Sequence, residues 1–160
     1  MLKYAGIVLV CISIAVFGVV KSEEIKKALA LRKSVTELLY GMENAVSSAG
    51  KSKLDIYRNF SENSGKLGAF LKDLSSGESE KICVEKHLCS LSENDRRMLA
   101  DFFSDFGKYK DCESQVKMCR YFIKEFERAG QDSEKEQRNK ILLYRKLGII
   151  IALAAAVILL

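Results

Sequence analysis

The chain has 160 residues, with no proline, no tryptophan and a single histidine, His87. Without proline, nothing forces a long helix to break. A lone histidine leaves little material for general acid–base work or for a histidine-rich metal site. A glycine-rich phosphate loop is missing too: Gly65 and Gly68 have neither a strand before them nor a Lys-Ser/Thr pair after them. Runs of one charge sign are lacking. Acids and bases alternate in Lys21-Ser22-Glu23-Glu24-Ile25-Lys26-Lys27 and in Ser133-Glu134-Lys135-Glu136-Gln137-Arg138, and the net charge is only +5. Such stretches read as solvated helix faces, whereas nucleic acid binding would want a basic stripe without interleaved acids. No segment alternates with the period of a strand, so the expected fold class is all-α.

Charge itself is lacking at both ends. Tyr4–Val20 and Leu147–Leu160 carry none. The first run, about 17 residues, is at the short edge for a transmembrane helix. The second, about 14 residues or roughly 21 Å of helix, reaches further if it is extended back through Ile141, Leu142, Leu143 and Tyr144. Arg145 and Lys146 must then snorkel toward the headgroups. A re-entrant or interfacial helix is the alternative for this second run. The expected organisation is a transmembrane helix over 4–20, a helical domain over 21–140 and a C-terminal transmembrane helix over 141–160. Lys21, Lys26, Lys27, Arg32 and Lys33 follow the first run. Lys135, Arg138, Lys140, Arg145 and Lys146 flank the second. The positive-inside rule then places the domain in the cytoplasm, where disulfides are rare. A cleaved signal peptide with export of the domain is the competing reading, with Val16-Phe17-Gly18 as a weak cleavage site.

Between the ends, apolar residues recur at helical spacing. Ile25, Ala28, Leu29, Arg32, Val35, Leu38, Leu39, Met42, Ala45 and Val46 continue the first helix, with a bend or a new start expected at Gly41. Leu54, Tyr57, Phe60, Leu67, Phe70, Leu71 and Leu74 mark a second stretch that Asn63-Ser64-Gly65 can divide. A short helix follows over about 79–88. Ser92 reads as an N-cap with Asp95 in a capping-box position, and Gly107 as the residue that ends that helix. Met98, Leu99, Phe102, Phe103 and Phe106 form its apolar stripe, and the aromatic set Phe102, Phe103, Phe106 and Tyr109 is expected in the core, with a partner surface as the alternative. The last helix starts near Asp111. Its polar part is steadied by pairs such as Glu134–Arg138 and Glu136–Lys140, with Gly130 as its weak point.

The residues that could carry chemistry are Cys83, His87, Cys89, Cys112 and Cys119. Cys83 and His87 share a helix face, as do Cys112 and Cys119, but no CxxC pair exists. Core packing is the better reading of the cysteines, and a thiol or zinc membrane enzyme is the rival. No nucleophile–base motif is present, so the expectation is a non-enzyme without metal or cofactor. Two anchors and a helical domain suit a platform or adaptor that meets membrane lipid and protein partners.

Several segments resemble the stage III sporulation protein AB family. Asp105-Phe106-Gly107-Lys108-Tyr109-Lys110-Asp111-Cys112-Glu113-Ser114-Gln115 is similar to that family's fG..LG..d...Q segment. Leu143-Tyr144-Arg145-Lys146-Leu147-Gly148 resembles its lY..LG entry to a C-terminal anchor, and Leu39-Tyr40-Gly41 its YG turn. Met42-Glu43 stands where the family usually has proline. The resemblance covers both ends and about the last 70 residues. It implies a helical bundle like the cytoplasmic domain of type II secretion platform proteins. It also implies a place in the mother-cell membrane around the forespore, in a trans-envelope channel complex needed for endospore formation. The implied partners are other subunits of that complex and a cytoplasmic ATPase. A secretion or pilus platform outside sporulation is the alternative. Lys108, Lys110, Asp111, Glu113 and Gln115 are the expected partner-facing residues, because the family-like stretch lies at a helix–helix corner.

Overall fold

A computed structural model describes residues 2–49, 52–62, 65–109 and 111–159. The side chains of 2–11, 14, 15, 49, 65, 66, 132–134, 138, 145, 148, 149 and 152–159 are outside that description. The described residues form six α-helices and no strand: α1 Leu2–Ala49, α2 Lys53–Ser61, α3 Gly65–Ser75, α4 Glu80–His87, α5 Glu93–Asp105 and α6 Cys112–Leu159. The all-α class is as expected. The chain divides into two compact units, 1–29 with 132–160, and 30–131.

In the unit 30–131, α2 packs on α3, α3 on α4 and α4 on α5. The core takes Val35, Leu38, Leu39, Met42 and Val46 from α1, and Leu99, Phe102 and Phe103 from α5. From α6 come Cys119, Ile123 and Phe126. Aromatic rings link the helices. Tyr57 lies 6.1 Å from Phe103, Phe70 4.9 Å from Phe103, Phe102 5.1 Å from Phe103 and 4.6 Å from Phe122. Contacts of this kind are worth about 0.5–1.5 kcal/mol each beyond their buried area.

No new helix starts at Gly41. With no proline after it, α1 runs unbroken to Ala49. Gly41 serves closeness instead: a Cβ there would fall 2.8 Å from the Phe60 ring, so glycine admits α2 against α1. Ser92 does cap α5, accepting from Asp95 N at 3.1 Å. The Asp95 carboxylate does not complete the capping box; Arg32 Nε and Nη2 donate to it at 3.2 and 3.1 Å. Arg32 also donates to the Phe126 carbonyl and lies 4.3 Å over the Phe126 ring. One side chain thus ties α1 to α5 and α6, and the pair is nearly buried. Gly130 does not break α6. A Cβ there would land on the Arg32 guanidinium, so glycine makes room for the clamp.

Two residues of the expected apolar stripes lie elsewhere. Leu54 and Tyr109 are exposed: Leu54 stands in the first turn of α2, and Tyr109 lies past the end of α5, in the connection to α6. Glu136 and Lys140 pair at 2.7 Å, as their spacing suggests. The Glu134–Arg138 pair lies outside the described side chains.

The unit made of 1–29 and 132–160 is different in kind. Ile12, Val16, Phe17, Leu142, Leu143, Ile150 and Ile151 are all exposed. Among the described residues no helix is long and apolar enough to cross a membrane. Most side chains of the expected spans over 4–20 and 141–160 lie outside the described ones.

Candidate interaction site

The corner between α5 and α6 is built by local rules. The N–H of Phe106 reaches the Phe102 carbonyl at 2.8 Å and closes α5. Gly107 then turns with φ +88°, a conformation that suits glycine. The Lys53 stem packs beneath it, and its ammonium donates to the Phe103 carbonyl at 3.1 Å. Asp111 opens α6, accepting from Ser114 N at 2.7 Å. Hydrogen bonding from Ser114 holds the Asp111 carboxyl below its usual range.

Gln115 joins the two sides. Its side-chain oxygen accepts from Gly107 N at 2.9 Å and its amide nitrogen donates to the Tyr109 carbonyl at 3.3 Å. The residue is buried, so of the five expected partner residues it is the one turned inward. Lys108 is exposed and pairs with Asp105 at 2.8 Å. Glu113 is exposed and pairs with Lys117 at 2.7 Å. Asp111 is exposed at the helix start, and Lys110 lies outside the described residues. The corner therefore presents Lys108, Asp111 and Glu113 together, while Gln115 holds the turn that presents them.

The cysteine–histidine set does not assemble into one site. Among the described residues no group of three or more His, Cys, Asp or Glu could hold a metal ion. Cys83 and Cys119 are buried, and Cys89 and Cys112 are exposed. Burial pushes the Cys83 thiol up to about 11 and the Cys119 thiol up to about 12, so both stay protonated and weakly nucleophilic. Cys112 Sγ donates to the Val46 carbonyl at 3.2 Å. His87 Nε2 lies 2.7 Å from Asp73 Oδ2, and Lys86 donates to the same carboxylate at 2.8 Å. These contacts hold α4 to α3. Lys86 foremost, then His87, draw the Asp73 carboxyl down to about 2.

Sequence reasoning missed the polar ties across the unit. Besides Arg32–Asp95, the nearly buried Glu43 accepts from Arg120 at 2.7 Å. The available signal was a charge inside an apolar stripe: Arg32 and Glu43 both stand among the core residues of α1.

The described residues of the unit 30–131 define an all-α helical protein. The family model of stage III sporulation protein AB matches residues 3–160, and the chain belongs to that family. Its role is therefore in stage III of sporulation. No curated protein and no solved structure matches the chain.

Proposed function

We propose that this chain is a non-enzymatic scaffold, held in the mother-cell membrane by both ends, in the channel complex between mother cell and forespore. The observation that carries the reading is the family match over residues 3–160, which takes in both apolar ends together with the helical unit. The outward apolar side chains of the unit 1–29 with 132–160 support membrane attachment. Ile12, Phe17 and Ile150 are 57, 64 and 59% exposed, which is costly in water and natural in lipid. Tyr4–Val20 and Ile141–Leu160 are the spans on this reading, with the unit 30–131 in the cytoplasm as the Lys and Arg flanks direct. There it engages other channel subunits and a cytoplasmic ATPase, with Lys108, Asp111 and Glu113 of the α5–α6 corner as contact residues.

Gene deletion in an endospore-forming host tests the function. Deletion is expected to leave vegetative growth intact and to cut heat-resistant spores by orders of magnitude, with restoration by the full chain. Normal spore counts after deletion contradict the reading. A secretion or pilus defect with normal spores would move the protein to a platform outside sporulation.

A further inference from the structure

Within the unit 30–131, α6 has an outer face that the corner does not explain. Its inner side gives Cys119, Ile123 and Phe126 to the core. Its outer side sets Lys117, Tyr121, Lys124 and Arg128 at steps of four, three and four residues, a single helix face. All four are exposed. Tyr121, at 70%, is the most exposed large hydrophobic side chain among the described residues. Lys117 pairs with Glu113 one turn away, and Arg120 at the edge is held by Glu43. Lys124 and Arg128 make no ion pair among the described residues. Glu125 and Glu127 fall on the flanks, partly buried, and Glu127 accepts from Tyr40 at 2.9 Å. An open groove of about 320 Å³ runs beside the stripe, lined by Tyr40, Glu43, Asn44, Arg120, Lys124 and Glu127.

Tyrosine and arginine are the side chains that most often anchor interfaces, and a stripe of one sign calls for its opposite. Nucleic acid is a poor match, since positive and negative charges are mixed over the rest of the unit. A bilayer surface is also a poor match, because Tyr121 has no apolar companion on the face to insert with it. A second copy lacks the complement: the exposed faces of the other described helices mix signs, as in Lys33 with Glu37, Lys81 with Glu85, and Glu93 with Arg97.

We propose that the Lys117–Tyr121–Lys124–Arg128 face docks an acidic segment of a different protein, with carboxylates at matching helical steps and one apolar side chain against Tyr121. This rests on the scaffold reading and adds the face and the chemistry of the partner. The test uses the full chain in phosphatidylcholine nanodiscs. The probe is a labelled helical peptide with four Glu at steps of four, three and four residues and one Leu, alongside its Glu→Gln twin. The acidic peptide is expected to bind with affinity that falls with salt, at least about tenfold more weakly to K124E/R128E and about fivefold more weakly to Y121A. The control K72E/K81E, with equal charge change elsewhere, is expected to stay within about twofold. In the host, K124E/R128E is expected to lower heat-resistant spores at least about tenfold, with unchanged protein level and melting.

Equal binding of the Gln twin, or an equal loss in K72E/K81E, overturns the proposal. So do preferential binding of phosphatidylglycerol vesicles through this face, self-association that K124E/R128E abolishes, and normal sporulation of K124E/R128E. Deletion without a spore defect sinks the sporulation role. A deletion defect with a fully active K124E/R128E sinks only this face.

Discussion

The two units of the chain treat apolar side chains in opposite ways. The unit 30–131 encloses most of its large apolar residues, with Leu39, Met42, Phe103 and Phe126 fully covered. The unit of 1–29 and 132–160 turns Ile12, Phe17, Leu142 and Ile150 outward. The first pattern is folding in water, where covering apolar surface contributes about 25 cal/mol per Å². The second has no such gain in water and suits surroundings that are themselves apolar. A single chain thus carries two answers to the hydrophobic effect, and substitutions can set one against the other.

The largest expected effect is in the enclosed unit. Phe126→Ala removes a buried ring that packs on Phe122 and under Arg32. It should cost about 3–5 kcal/mol of stability, read as a shift of the urea midpoint. Asp95→Ala leaves the Arg32 guanidinium nearly buried without its carboxylate and should cost about 3 kcal/mol in the same assay. The double change Arg32→Met with Asp95→Leu should recover part of that loss.

The outward unit is probed by charge. Ile12→Asp should raise the free energy of membrane insertion by about 3 kcal/mol, seen as protein lost from the membrane fraction. Ile82→Asp makes the same change at an exposed apolar residue of the enclosed unit. It should leave membrane fractionation and stability within about 0.5 kcal/mol of the parent. Equal behaviour of the two variants would erase the distinction between the units.

Much of this was legible in the sequence. Ser92, Gly107 and Asp111 announced their caps and turn because that chemistry is satisfied within three or four residues. Arg32–Asp95 and Glu43–Arg120 were not legible as pairs, because each joins residues far apart in the chain through tertiary packing. Leu54 and Tyr109 misled in the other direction. Periodicity says which side of a helix is apolar, but not that a residue in the first turn, as Leu54, or one past the helix end, as Tyr109, is covered. Gln115 was read as a contact residue from its place in a motif, whereas its amide closes the turn on Gly107 and Tyr109.

Smaller effects sharpen the picture of the enclosed unit. The Asp73 carboxyl, drawn from 3.8 to about 2 by Lys86 and His87, stabilises the α3–α4 pairing while ionised. Its contribution is in place above a pH near 4 and is lost as pH falls through about 2. The melting temperature of Asp73→Asn should therefore lie below that of the parent at neutral pH, with the gap closing toward pH 2. A gap that does not change with pH would remove the carboxylate from the account. The smallest effect is Tyr57→Phe. The Tyr57 hydroxyl is buried without a hydrogen-bond partner, so its removal should leave stability equal or slightly higher, within about 0.5 kcal/mol.

The placement of the two units is tested most directly through Cys89, which is exposed in the unit 30–131, whereas Cys83 is buried and would report poorly. In a full chain with Cys89 as its one cysteine, expressed in protoplasts, a membrane-impermeant maleimide should label Cys89 only after permeabilisation. Labelling of intact protoplasts would put this unit outside the cell and contradict the cytoplasmic scaffold.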